Sequence, residues 1–276
     1  MFTPPIRADD VSHAWLEAVR GLDALAPKRA ALHTMVTIEN PIVEDADIRV
    51  DADRLLKEFE LAPIETVANT IFPQHLANAS SNHEELVRRY RAIYPELKKR
   101  WHPNARGTYF GRLVAYQTAA HPDGYDQLGE IIHRLTLEHA RSNGKTAIYE
   151  ASLREADEPE LEPDEDVADE FAADASALIF APGRDKLPVG GFPCLSHCSF
   201  QLDRDAQLHA LAHYRSQYLI ERGYGNYLGL GRLLAYLCEQ TGLGLGTLTV
   251  VAGYAQIETK TTKLRPLLAR QPSLFN

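Results

Sequence analysis

Cysteine is scarce in this chain. The three present are an odd number, which argues against a disulfide framework and fits a reducing cytoplasm. Long apolar runs are missing too: none approaches the roughly 18 residues that a membrane span needs. The opening stretch Met1-Phe2-Thr3-Pro4-Pro5-Ile6-Arg7 lacks the apolar core of a signal peptide. Positive charge is in deficit, with 29 Lys and Arg against 38 Asp and Glu, a formal net charge of -9. That balance disfavours broad nucleic-acid binding by bulk electrostatics and leaves room for a local basic pocket for one nucleotide. No internal repeat and no clear domain boundary is visible. What remains is a 276-residue chain, 45% hydrophobic and 24% charged, long enough to bury a core and suited to one large globular domain or two small ones, of which a single domain is expected.

Periodicity gives the coarse organisation. Residues 10–25 read as a helix, with Val11, Trp15, Val19 and Leu22 at helical spacing and Pro27 as its stop. A strand is expected over 34–38, ended by Asn40-Pro41, and a short helix over 51–59. Residues 84–97 form a second helix, striped by Leu86, Tyr90, Ile93 and Leu97, and 127–140 a third. A strand begins at 146–149. Over 155–174 the composition turns to Asp, Glu, Ala and Pro, a self-repelling run that reads as a solvated insertion. Structure resumes at 177–180, and 199–214 suits a strand pair around Asp203-Arg204-Asp205. The longest buried helix runs over 227–240, and Gly242, Gly244 and Gly246 mark its exit before a last strand at 248–251. Helices and strands interleave without regular βαβ spacing, which favours α+β over a doubly wound sheet.

Chemistry concentrates between residues 193 and 226. Cys194 alone is more readily a small buried hydrophobe than a nucleophile. A nearby cation would favour its thiolate, and Arg215 is a candidate. Cys194, His197 and Cys198 have short spacing for metal ligands, but there is no second Cys pair, and Cys238 falls on an apolar helix face. In an extended segment residues 194 and 197 also point to opposite faces, so no metal is expected. Arg215-Ser216 pairs a donor fork with a hydroxyl and suits phosphate. Asn226 carries donor and acceptor, fit either to read a ring edge or to cap the helix it opens. Glu65, among Ile64, Val67 and Ile71, is expected to have its proton affinity raised by desolvation, as an acid-base group needs. Tyr109, between Gly107 and Gly111, is a site residue or a core tyrosine.

The spacing resembles the thymidylate synthases and their pyrimidine hydroxymethylase relatives. Pro193-Cys194 precedes Arg215-Ser216, with Arg215 following Cys194 at 21 residues and Asn226 following Arg215 at 11. The match is good from 192 to about 258, fair over 65–149 and weak before that. The resemblance implies a mixed, bent sheet with a long buried helix, and a homodimer formed through that sheet. It implies a transferase acting at C5 of a uracil-type pyrimidine nucleotide, in methylation or hydroxymethylation, through a Cys194 thiolate adduct at C6. Arg215 and Ser216 would clamp phosphate, Asn226 would read the base, and Glu65 and Tyr109 would serve the active site. His197 stands near the family's histidine, displaced by one residue, and Asp126-Gln127 matches a pair that opens a family helix.

Departures fall on the rest of the pocket. The partner-subunit arginine pair falls at Lys145-Thr146, the phosphate-loop arginine has only Arg29 as a candidate, and the sugar-reading His and Tyr fall at Gln256 and Glu258. Methylenetetrahydrofolate is the donor implied. Against it, Tyr218 stands where a pterin-contacting aspartate is expected, and the C-terminus is shortened, ending 20 residues after Gln256. The alternatives are a nucleotide-binding protein of the same fold without turnover and a partner-binding protein using the acidic segment.

Overall fold

The computed structural model describes residues 1–100, 107–117, 121–140, 176–178, 193–259 and 261–269. The expected strand at 146–149, the acidic insertion at 155–174 and Lys145 lie outside the described residues. The chain divides into two compact units, and both are discontinuous in sequence. The first takes Met1–Phe72, Leu211–Ala235 and Gly246–Asn276; the second takes Pro73–Ala210 and Tyr236–Leu245.

In the first unit β1 (Ile6–Asp10) runs parallel to β2 (Ala30–Asn40), with Ile6 opposite Val36. Next to β2 is β7 (Gly244–Gln256), antiparallel, with Val36 opposite Val250. The two-residue β6 (Gln217–Tyr218) lies parallel to the end of β7. In the second unit β3 (Ser176–Leu178) pairs antiparallel with β4 (Leu195–Leu202). β5 (Gln207–Tyr214) follows β4 through a turn in which the Asp203 carboxylate accepts from the Asp205 and Gln207 amides at 2.9 and 2.8 Å. The strand order is β1-β2-β7-β5-β4-β3, a mixed sheet. The class is therefore α+β, as the irregular spacing led us to expect.

Helix α1 (Val11–Asp23) forms because Asp10 caps it, accepting from the His13 amide at 2.9 Å, and because Val11, Ala14, Trp15, Ala18, Val19 and Leu22 bury one face. Trp15 is pinned further by its indole N–H, which donates to the Leu219 carbonyl at 2.7 Å. Asp45 caps α2 (Ala46–Glu58) in the same way. Residues Ile64–Ile71 form α3, with Ile64, Val67, Ala68 and Ile71 buried. Later in the chain, α9 (Thr261–Leu268) is joined to α1 where Arg20 donates to the Leu268 carbonyl.

The longest apolar helix, α8 (Tyr224–Thr241), starts three residues earlier than its periodicity indicated and follows a π-helical turn, Leu219–Gly223. It approaches its neighbours through small residues. A Cβ at Gly225 would stand 2.5 Å from Val67 Cβ, one at Gly229 2.7 Å from the Ala68 carbonyl oxygen, and one at Gly231 1.7 Å from the Pro41 carbonyl oxygen. In the second unit α4 (Gln74–Asn78) and α5 (His83–Arg100) precede α6 (Tyr109–Val114), and α7 (Gln127–His139) follows it. His83 joins three elements here: its ring meets the Asp126 carboxylate at 2.9 Å and the Tyr236 hydroxyl at 3.1 Å. Among the described residues no helix is long and apolar enough to cross a membrane.

Candidate functional site

The second unit carries the candidate nucleophile. Cys194 is half-buried at the entrance to β4, and Leu195, the next residue, donates its backbone N–H to the Tyr109 hydroxyl at 3.5 Å. Two residues singled out from the sequence are thus brought to the same place. The segment carrying Tyr109 is held tightly. Thr108 caps α6, its hydroxyl accepting from the Gly111 amide at 3.0 Å and meeting the Tyr90 hydroxyl at 2.5 Å. The Tyr94 ring occupies the space that a Cβ at Gly107 or Gly111 would need, 2.4 and 2.1 Å from those positions. The two glycines flanking this aromatic segment are therefore required by close approach.

The other two thiols differ in environment. Burial pushes Cys198 up to about 12 and Cys238 up to about 11, so both stay protonated and inert at neutral pH. Cys194 is the one of the three that is not buried. His197 is half-buried in β4 opposite Leu178 of β3. Among the described residues no group of three or more His, Cys, Asp or Glu side chains could hold a metal ion.

The first unit carries the candidate anion and base readers. Arg215 and Ser216 follow directly on β5, and the Arg215 carbonyl lies close to Gly253, 3.1 Å from where a Cβ would stand. Asn226 is buried, at 4% exposure, and its side chain makes no hydrogen bond to another described residue. Because α8 begins at Tyr224, Asn226 lies inside the first turn, and the capping role does not hold. Nearby in sequence, Gln217 is buried and its amide oxygen accepts from the Tyr227 hydroxyl at 3.5 Å. Tyr218 is exposed.

Glu65 corrects its expectation. Ile64, Val67 and Ile71 do form a buried face of α3, but residue 65 is turned about 100° from residue 64 on a helix, and its carboxylate leaves that face. It meets Arg232 of α8 in a two-pronged pair, both contacts at 2.8 Å, and Arg49 of α2 at 3.2 Å. The Arg232 hydrogen bonds outweigh the opposing effect of burial and hold Glu65 down at about 2. Proton affinity is lowered, not raised. Arg49 also binds Glu44 at 2.6 Å and Asp53 at 2.9 Å, with its guanidinium over the Tyr224 ring. This ion network was not foreseen, since its members come from α2, α3, α8 and the loop before α2.

The remaining candidates are placed as follows. Gln256 ends β7, half-buried, opposite Ala30 and Tyr218. Glu258 lies two residues beyond, exposed, and its carboxylate accepts from the Glu221 backbone N–H in the π-helical turn. The Arg29 guanidinium faces Asp23 at 4.0 Å. No family model and no curated protein matches this chain. One side chain that sequence reasoning passed over is Arg112, buried in α6. The signal was available in its i+3 spacing from Tyr109.

Proposed function

We propose that this chain is a thymidylate synthase-like transferase acting at C5 of a uracil-type pyrimidine nucleotide. The observation carrying the reading is the half-buried Cys194 thiol, one residue from the peptide N–H that donates to the Tyr109 hydroxyl. The thiolate sulfur attacks C6, and the C5–C6 π pair moves to C5 as an enolate. C5 then takes an electrophilic one-carbon unit and loses its hydrogen as a proton, after which the sulfur leaves C6. Arg215 and Ser216 hold the nucleotide phosphate, and His197 supports the nucleophile's end. Asn226 offers its amide to the ring, supported by its burial without a side-chain partner among the described residues. Gln256 and Glu258 serve the sugar, and Lys145 is retained as a second phosphate cation. The implied donor, methylenetetrahydrofolate, would meet Tyr218, whose exposed ring stacks but cannot accept the paired hydrogen bonds that a carboxylate accepts. Hydroxymethylation would end with water adding to the one-carbon unit, whereas methylation would also need a hydride, which a reduced folate donor would supply.

The protein acts as a cytoplasmic homodimer in this reading. Met35 stands opposite Val251 and the Thr37 and Thr249 hydroxyls meet at 3.1 Å, a part-exposed stretch of the β2–β7 pair suited to a second copy. The odd number of cysteines agrees with a reducing compartment. Mass spectrometry of the intact protein with a panel of 5-fluoropyrimidine nucleotides tests the proposal. A one-to-one adduct, absent in Cys194→Ser, is the expected result; no adduct with any member would refute it.

A second reading, nucleotide binding without turnover, is favoured by one observation: Glu65, held ionised by Arg232 and Arg49, has no proton to deliver near neutral pH. Cys194-dependent release of tritium from C5 separates the two.

A further inference from the structure

The unit that holds Cys194 also holds a buried cation. Arg112 closes the segment Gly107-Thr108-Tyr109-Phe110-Gly111-Arg112 and is only 8% exposed. It stands three residues after Tyr109, and side chains at i and i+3 share a helix face with Cβ atoms about 5–6 Å apart. Tyr109 reaches the Leu195 amide from that face. Arg112 therefore shares a helix face with Tyr109, the residue of α6 that reaches the Cys194-Leu195 peptide.

The backbone under Arg112 is fixed from two directions. Its N–H donates to the Thr108 carbonyl at 3.2 Å, and its own carbonyl accepts from the Gln127 side-chain amide at 2.9 Å. A guanidinium stays protonated at any working pH, and burial shields its field from salt. Other titratable or charged groups on the surrounding elements are the Tyr90 and Tyr94 phenols and Arg91 of α5, Tyr109 of α6, His197 and Cys198 of β4, and Asp126, Glu130, His133, Arg134, Glu138 and His139 at and along α7, of which Glu138 is buried. Arg91 is committed to the Val114 and Gly124 carbonyls at 2.8 and 3.0 Å.

We propose that Arg112 is the positioning residue whose charge favours the thiolate of Cys194. The S–H bond breaks, the proton passes to solvent water, and the electron pair stays on sulfur in the guanidinium's field. The inference rests on Cys194 being the nucleophile, and it puts the activating charge in the thiol's own unit instead of at Arg215.

The test is the pH dependence of iodoacetamide alkylation of the full chain, read at the Cys194 peptide by mass spectrometry. In the wild type the midpoint falls below the roughly 8.5 of a free thiol. Arg112→Gln raises it by about one pH unit, a slowing of about tenfold at pH 7, and Arg112→Lys, which keeps the charge, leaves it near the wild-type value. A wild-type midpoint at 8.5 or above overturns the inference without any variant. So does a Gln variant that is folded by circular dichroism and keeps the wild-type midpoint, or a Lys variant shifted as far as Gln. A midpoint that moves in Arg215→Ala and not in Arg112→Gln also overturns it. A 5-fluoropyrimidine adduct that forms while the midpoint ignores Arg112 leaves the transferase reading standing and removes this one alone.

Discussion

Consider Glu65→Gln, which keeps the shape of the side chain and removes its charge. In the folded chain the carboxyl is held at about 2, against an ordinary value of 4.5, first by the Arg232 hydrogen bonds. Such a depression corresponds to roughly 3 kcal/mol between the two protonation states. The side chain is 42% exposed, however, so water screens the pair and about 1 kcal/mol is the realistic share. The sign follows from the direction. A carboxyl bound more tightly as the anion in the fold adds stability that is fully present above pH 4.5 and fades as pH falls towards 2. Urea unfolding of wild type and Glu65→Gln should therefore differ by about 1 kcal/mol at pH 7 and converge below pH 2.5. A double-mutant cycle with Arg232→Met should return a coupling of the same size. A stability difference that stays constant from pH 7 to pH 2 would refute the assignment of Glu65 as an ion-pair anchor.

Three other outcomes are expected. Arg215→Ala should weaken phosphorylated pyrimidine ligands by about 2–4 kcal/mol in calorimetry while barely changing bare nucleosides; equal losses would make Arg215 structural. Gly231→Ala places a methyl 1.7 Å from the Pro41 carbonyl oxygen and should lower stability by at least about 2 kcal/mol in urea titrations, whereas a neutral result would mean the two backbones separate freely. Deoxyuridylate with methylenetetrahydrofolate should give Cys194-dependent tritium release from C5 without efficient thymidylate formation, because Tyr218 offers the pterin no carboxylate; thymidylate at a turnover of roughly 1–10 per second would overturn that.

The elements that the sequence made visible are those with a strong period and clear ends. For α1, α5, α7 and α8 the apolar stripe is long and one face is buried. β1 escaped notice because Ile6-Arg7-Ala8-Asp9-Asp10 is short and mostly polar. β7 outran its expected four residues because Gly244, Gly246 and Gly253 interrupt the β-branched signal without breaking the pairing. The short helices α3 and α6 were not read as helices, and consequences for the site followed from both. A helical Glu65 leaves the apolar face of its neighbours, and a helical Arg112 joins Tyr109 on one side. Proximity of Tyr109 to the Cys194-Leu195 peptide was implied by resemblance alone. Partners drawn from distant segments, such as Arg232 for Glu65 across 167 residues, leave no local mark in the sequence.

The boundaries of the two units fall at Phe72–Pro73, within β5 after Ala210, within α8 after Ala235 and within β7 after Leu245. The chain passes from one unit to the other four times, three of them in the middle of a hydrogen-bonded element. Neither unit can be expressed as one uninterrupted stretch of gene. Cutting at Phe72–Pro73 would strand β1 and β2 from the β7 that pairs with them. Cys194 and Asn226 are carried by different units, so exchanging either unit whole would take several separate replacements along the gene.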